Sequence, residues 1–388
     1  MNRHIRVAIT QGDFNGVGPE VAVKSVAAEG ITDIFTPILF ADWRIVEHAC
    51  RRSGIDLSPF RRVESVAEAR DGQVNVVDLH LDDATVTPGH PTPASGAGAV
   101  ASLEAATAAL LDGSADVLVT APICKEAAQC DAFRYAGHTE YLDAKAGPGH
   151  KAQMILFDDM IRVALVTTHL PLRDVPAAIT RQNVADSATR LAATLTADFG
   201  IDRPKIAVLS LNPHCGDGGL LGDEEKEVIA PAIADCTARG ALVFGPYAAD
   251  GFFGSGSFIS FDGVLAMYHD QGLAPFKALA RANGVNFTAG LPFVRTSPDH
   301  GTAYDIAWKD EADPTSMRDA IYRAIDIFRC RARHAEASSN PLKRQSLDKP
   351  GRNGGKSRPQ PAQQGAGTSK SQEQEPKPET ENAPDKQQ

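Results

Sequence analysis

Short runs rich in β-branched and apolar residues, among them IRVAIT, VNVVDL, DVLVTAPI, IRVALVTT and KIAVLSLNPH, alternate along the chain with alanine-rich segments of helical spacing. This alternation argues for an α/β protein with a largely parallel sheet. SGAGAVASLEAATAALLDG is the clearest helix, and ITRQNVADSATRLAATLTADFG is another, ending at Gly200 as a C′ glycine would. No internal repeat interrupts the pattern.

At 388 residues the chain has room for two domains. Beyond about Ala335 the composition turns to Lys, Gln, Pro, Ser, Gly and Glu with almost no large apolar residue, so 336–388 is expected to be a disordered tail. Lys and Arg total 39 against 49 Asp and Glu, a net charge of −10, with no basic stripe apart from that mixed tail. Nucleic acid is therefore not an expected partner. Six cysteines, Cys50, Cys124, Cys130, Cys215, Cys236 and Cys330, form no C-x-x-C pair, which suits reduced thiols better than a disulfide framework. MNRHIRVAIT lacks the apolar run of a signal peptide, and no stretch approaches eighteen uninterrupted apolar residues. The expectation is a soluble cytoplasmic protein with no membrane partner.

In an open parallel sheet, ligands bind beyond the carboxyl ends of the strands. Here TAPICK, TTHLPL, LNPHCGDGG and MYHDQG each follow directly on an apolar run. Three of these segments carry a histidine just past the predicted strand end: His169, His214 and His269. Three neutral imidazoles converging on one point would make a catalytic-type site for a divalent metal, leaving positions open for substrate oxygens. Such a metal keeps most of its charge and can polarise a carbonyl or stabilise an alkoxide. Asp250, in GPYAADGFF, is placed to orient a ligand. The alternative is that each histidine separately caps a turn or donates to a carbonyl, and spacing alone leaves both readings open.

A second group seeks anions. Lys277 in APFKAL, Asn286 in GVNFT and Arg295 in PFVRTSPDHG lie in one short stretch. A phosphate held by Lys and Arg gains charge-assisted hydrogen bonds of about 1.5–3 kcal/mol each; otherwise these residues are solvated surface charges. AGHTEYL puts His138 and Thr139 at the start of a helix, where Thr139 is either an N-cap or a ligand for a carboxylate or phosphate. GDFNGVGPE has no Gly-Lys-Ser/Thr ending, and GVGPEV lacks the third glycine of G-x-G-x-x-G, so it is not read as a phosphate cradle. Pro19 and Glu20 instead suit the first turn of a helix.

GHTEYL, NPHCGDGG, YHDQGLAPFK and VNFTAGLPFVRTSPDHGTAYDIA, in this order between about Ile5 and about Phe328, resemble the 4-hydroxythreonine-4-phosphate dehydrogenase family of pyridoxine biosynthesis. SPDHGTAYDIA also resembles the His-Gly-Ser/Thr adenine-side loop of isocitrate and isopropylmalate dehydrogenases. GDFNGVGPE resembles their GDGIGPE turn with two residues inserted.

The resemblance implies an isocitrate/isopropylmalate dehydrogenase-like α/β fold with two α/β/α domains and an active site in the cleft between them. One domain would comprise 1–130 plus 290–335, the other 131–289. It assigns His169, His214 and His269 to a divalent metal (Zn, Mg, Mn or Co), with His269 from the neighbouring subunit of a homodimer. His138, Thr139, Lys277, Asn286 and Arg295 would bind a phosphorylated small-molecule substrate, and Lys277, His138 or metal-bound solvent would act as the base. Gly12, Asp13, Gly16, Asp299, His300 and Gly301 would line the cleft for NAD or NADP.

The implied reaction is oxidation of 4-phosphooxy-L-threonine at C3, followed by loss of CO2 to give 3-amino-2-oxopropyl phosphate. Rival readings are a same-family dehydrogenase of D-threonate or D-erythronate 4-phosphate, and a non-catalytic binding protein that kept the fold. A dihydrodiol dehydrogenase is less apt, since such substrates lack the phosphate that Lys277 and Arg295 would hold. The chain departs from the family at Phe14-Asn15, at Cys124 and at Cys215-Gly216-Asp217, of which Cys215 either sets a thiol near the metal or simply packs.

Overall fold

A computed structural model of the chain describes residues 4–130, 133–281 and 283–340. Its strands are β1 (Arg6–Thr10), β2 (Thr36–Ala41), β3 (Phe60–Val63), β4 (Val74–Asp78), β5 (Val117–Val119), β6 (Gln153–Phe157), β7 (Arg162–Leu165), β8 (Lys205–Leu209), β9 (Leu242–Tyr247), β10 (Gly263–Ala266), β11 (Val285–Ala289) and β12 (Val294–Pro298). All join one sheet in the order β3-β4-β2-β1-β5-β12-β11-β6-β7-β10-β8-β9.

The α/β class is as expected, but the parallel pairing holds only within two arms. β3, β4, β2, β1, β5 and β12 pair in parallel, as do β7, β10, β8 and β9. Between them β11 is antiparallel to both β12 and β6, and β6 is antiparallel to β7. Three reversals leave the arms running in opposite directions, so their carboxyl ends share no common edge. The first arm draws on residues 6–119 and recovers β12 from 294–298, while the second is contiguous over 162–266.

The two-residue period of the strands sorts their side chains onto two faces. On one face a single core runs beneath both arms, with Val117, Val119, Val294, Val285, Phe287, Ile155 and Ala164 covered by the helices Gly18–Val26, Arg181–Ala197 and Thr315–Ser338. The other face carries two separate cores. Ala8, Ile38 and Leu118 pack with the helix Pro93–Leu111, and Leu156, Val163, Ala207 and Val264 pack with the helix His269–Ala280. The gap between these two cores is where the polar residues of the central strands face.

Local signals explain the main helices. Pro93–Leu111 starts at Thr92, whose hydroxyl accepts from Ser95 N–H while Ser95 Oγ accepts from Thr92 N–H. This helix is long and apolar enough to cross a membrane by length and composition, yet 61% of its most apolar window is buried inside the protein. Pro19 and Glu20 occupy the first turn of Gly18–Val26. Gly200 has φ +68° but lies beyond the cap at Asp198, so the helix stops slightly earlier than its glycine suggests. Thr315–Ser338 runs on past Ala335 into the segment expected to be tail; 341–388 lies outside the described residues.

Candidate active site

A cavity of about 280 Å³ opens on the sheet face between the two separate cores. Its floor is made by alternate residues of adjacent central strands: Met154 on β6, Asn286 on β11, and Arg295 and Ser297 on β12. The intervening residues Ile155, Val285, Phe287 and Val294 belong to the continuous core behind. Asn286 stands directly opposite Ser297 in the β11–β12 register.

Arg295 is 2% exposed. Its Nε and Nη2 donate to Thr120 Oγ1 at 3.0 and 2.5 Å, and its Nη1 donates to Thr288 Oγ1 at 2.9 Å. Among the described residues no carboxylate lies within ion-pair distance of it. Burial pulls its pKa down to about 9, which leaves the guanidinium charged at neutral pH. A buried cation with spare N–H donors facing a cavity is an anion site by its chemistry.

The helix His138–Ala146 contributes a wall through Gly137, His138, Thr139 and Glu140. Its cap is Gly137, so Thr139 is the second helical residue and not the N-cap. Thr139 therefore faces the cavity from the positive end of the helix. His138 Nε2 is buried without a hydrogen-bond partner, as is Asn286 Oδ1. Burial, reinforced by the nearby Arg295 and Lys125 charges, holds the His138 pKa well below the imidazole range, so this ring is neutral. Two orphaned polar atoms on one cavity mark places for ligand groups.

Lys277 reaches the same cavity from the helix His269–Ala280. Its Nζ lies 3.0 Å from Asp299 Oδ1 and donates to the Asp299 carbonyl at 3.3 Å. All five expected substrate contacts, His138, Thr139, Lys277, Asn286 and Arg295, thus line one space. Thr120, Lys125 and Glu140 line it too and were not singled out in the sequence. Thr120 and Lys125 lie in TAPICK directly after β5, and Glu140 lies in GHTEYL.

The three histidines follow β7, β8 and β10, but the structure brings only two of them together. The rings of His169 and His269 lie 5.9 Å apart between centroids. Two imidazoles sharing one zinc at about 2.0–2.1 Å per nitrogen would have centroids roughly 5–6 Å apart. His269 Nδ1 is 2.7 Å from Asp270 Oδ1, which leaves Nε2 as the free nitrogen, the pattern that orients a metal-ligating histidine. His169 Nδ1 is 3.8 Å from Glu140 Oε1, and this partner holds the Glu140 carboxyl below its usual range.

His214 instead lines a neighbouring cavity of about 500 Å³ together with Asp250, Tyr268 and Gln271. Among the described residues no three His, Cys, Asp or Glu side chains converge as a metal-binding group. His214 stands in a left-handed turn: His214, Cys215 and Asp217 have φ of 53°, 54° and 45°. Such backbone costs about 1–3 kcal/mol per residue and persists only where its surroundings enforce it. Here Glu225 does so, accepting from Leu211 N–H and Asn212 N–H, both at 2.7 Å. Gly216 lies so close to Gly222 O that an added Cβ would sit 2.5 Å from it. Cys215 Sγ is engaged with Pro246 O at 3.5 Å.

A further cavity of about 250 Å³ adjoins the first. Val17, Val21, Ala303, Ile306 and Ala312 make it largely apolar, and Asp299 and His300 line both spaces. His300 Nε2 is buried and unpartnered. An apolar slot with an orphaned ring nitrogen on its wall has the chemistry to take a flat heteroaromatic group.

Gly301 lines the first cavity, whereas Gly12, Asp13 and Gly16 line neither. Asp13 is 0% exposed, and its carboxylate accepts from Asn15 N–H, Ser95 Oγ and Tyr304 Oη at 2.9, 3.1 and 2.9 Å. Burial and this carboxylate push the Tyr304 phenol up, fixing it as the donor. An added Cβ would sit 2.4 Å from Pro122 O at Gly12 and 2.7 Å from Thr302 O at Gly16. Asp13 and Gly16 thus pack against the 301–304 loop through Tyr304 and Thr302, and Gly12 packs against Pro122.

The family described as pyridoxal phosphate biosynthetic protein PdxA matches residues 33–324. A Bacteroides thetaiotaomicron protein named 4-hydroxythreonine-4-phosphate dehydrogenase is 49% identical over 346 residues, covering 89% of this chain and 94% of its own. A Desulforapulum autotrophicum protein of the same name is 38% identical over 325 residues, covering 82% and 94%. Among solved structures, 4-hydroxythreonine-4-phosphate dehydrogenase from Klebsiella pneumoniae aligns with a TM-score of 0.74 at 35% identity, covering 84% of this chain and 99% of the other.

Proposed function

The chain belongs to the PdxA family of pyridoxal phosphate biosynthetic proteins, and on that premise we propose that it is a dehydrogenase that oxidises 4-phosphooxy-L-threonine at C3 and releases CO2 to give 3-amino-2-oxopropyl phosphate. The observation that carries the substrate class is Arg295, a buried guanidinium held by two threonine hydroxyls and facing a cavity of small-metabolite size. Placing an unpaired charge there costs several kcal/mol, a cost that an arriving phosphate or carboxylate offsets.

The remaining residues divide the work. Arg295, Lys277 and the start of the helix His138–Ala146 bind anionic groups. Asn286 Oδ1, an acceptor without a donor, suits a substrate hydroxyl or ammonium. His138, with Nε2 free on the cavity, can accept a hydrogen bond from the reacting hydroxyl, whose proton would pass to His138, Lys277 or solvent on the cation. The Lys277 ammonium is the group able to return one after carbon dioxide leaves.

NAD or NADP would occupy the apolar slot, with Asp299 and His300 at the junction; a divalent cation would be held by His169, His269 and His214, oriented by Asp270 and Asp250. When bound, the nicotinamide supplies hydride acceptance and the cation supplies polarisation of the substrate oxygen. The active form would be a homodimer in which His269 completes the metal site of the neighbouring subunit. The exposure of His169 and His269, 49% and 40%, supports that reading, since a neighbouring subunit can reach either ring.

The test is NAD(P)H formation from a panel of 4-phosphorylated C4 acids, including D-threonate and D-erythronate 4-phosphates. Turnover of 4-phosphooxy-L-threonine well above the 2-hydroxy acids supports the assignment; a preference for either 2-hydroxy acid would reassign the substrate within the family.

A further inference from the structure

We propose that Asp299 is a positioning residue for Lys277, and that this pair links the two adjoining cavities so that their ligands bind with coupled affinities. The inference rests on reading the larger cavity as the substrate site and the apolar slot as the cofactor site.

Three observations carry it. Lys277 lines only the larger cavity, whereas Asp299 lines both, so a ligand in the slot touches the group that holds the lysine. Asp299 holds Lys277 Nζ with two acceptors, its carboxylate Oδ1 at 3.0 Å and its own carbonyl at 3.3 Å, which defines a position and a direction as well as an attraction. Finally, the anchor is itself anchored from the slot side. Asp299 N–H donates to Ser316 Oγ at 3.3 Å, and Ser316 Oγ donates to Gly284 O at 3.0 Å, both of these residues lining the slot.

The two partners are unequal in freedom. The Asp299 side chain is 17% exposed and the Lys277 side chain 51%, so the carboxylate is the fixed half and the ammonium the movable one. At Gly284 an added Cβ would sit 3.2 Å from Asp299 Cβ and from Oδ2, so a shift in this part of the slot wall is passed to Asp299. An ammonium has three donors; with Asp299 using its carboxylate oxygen and its carbonyl, one remains for a substrate oxygen. Removing the carboxylate leaves the lysine free to point into solvent, and a ligand in the slot then has no lever on it.

The experiment is calorimetric titration of 4-phosphooxy-L-threonine into the metal-loaded protein, with and without saturating NADH, for wild type and for Asp299→Ala, Asp299→Asn, Lys277→Ala and the Asp299→Ala/Lys277→Ala pair. Wild type should bind the substrate with an affinity that changes about fivefold or more when NADH is present, the lower end of ordinary coupling between sites. Asp299→Ala should weaken substrate binding about tenfold and abolish the dependence on NADH, raising KM more than it lowers kcat. Adding Asp299→Ala to Lys277→Ala should cost nothing more, because both act through one contact.

Asp299→Asn, of the same shape, preserves the fold and keeps an acceptor, so it should retain part of the affinity. Coupling that survives in Asp299→Ala and Asp299→Asn, additive losses in the double variant, or an uncoupled wild type that binds both ligands would overturn the inference while leaving the proposed function standing. A wild type that binds neither ligand removes the function and the inference together.

Discussion

Arg295 meets Thr120 with two donors on one oxygen: Nε at 3.0 Å and Nη2 at 2.5 Å both reach Thr120 Oγ1. A neutral hydroxyl orients the guanidinium without neutralising it, so its charge stays available to a ligand. Thr120 and Thr288 supply direction and no charge.

Arg295→Met separates the two consequences. Loss of one or two charge-assisted hydrogen bonds, about 1.5–3 kcal/mol each, should raise KM for the phosphorylated substrate at least about tenfold. Replacing an unpaired buried cation with an apolar side chain of similar length should leave Tm unchanged or raise it. A variant that loses both binding and stability would show that the charge is already compensated within the protein.

His138 makes a pH statement. Its folded-state pKa lies below the unfolded value of about 6.5, so below that pH the unfolded chain takes a proton that the folded one refuses. The stability contributed above pH 6.5 is therefore lost as pH falls. Urea midpoints at pH 7 and pH 5 should drop further for wild type than for His138→Gln; equal drops would mean that this ring is freely protonated in the folded protein.

Gly12 should tolerate no side chain. It sits at φ +67°, and an added Cβ would lie 2.4 Å from Pro122 O, a backbone atom that cannot step aside. Gly12→Ala should cost more than about 1–3 kcal/mol in chemical denaturation, since strain and overpacking act together.

Asp270 is expected to act on metal through His269, whose Nδ1 it meets at 2.7 Å. Asp270→Asn should weaken divalent-metal affinity about 10–100-fold in competition with a chelator, without unfolding the protein. Unchanged affinity would remove His269 from the metal assignment.

The expected substrate contacts are legible in the sequence because each sits in a short motif at a turn or on an alternating strand. VNFTA and VRTSP send every second residue to the core and leave Asn286, Thr288, Arg295 and Ser297 on the cavity side. Alternation carries no strand direction, however, which is why the antiparallel centre of the sheet does not show in it. Thr120 is silent for another reason: a threonine just past a strand end looks the same whether or not it holds a guanidinium 175 residues away. Asp13 is assigned to the cofactor through its motif alone, and the motif is silent on the partners its carboxylate finds at Asn15, Ser95 and Tyr304. His214 is correctly placed after a strand, but which cavity it enters depends on the left-handed turn braced by Glu225.

The return of β12 to the first arm has a consequence for synthesis. Residues 162–266 supply every strand of the second arm and can pair as soon as they emerge, while the first arm lacks β12, the neighbour of β5, until 294–298 are made. Pairings of such sequence separation form late. Arg295 travels on that last strand, so a nascent chain can hold most of its sheet and still lack the buried guanidinium that faces the cavity.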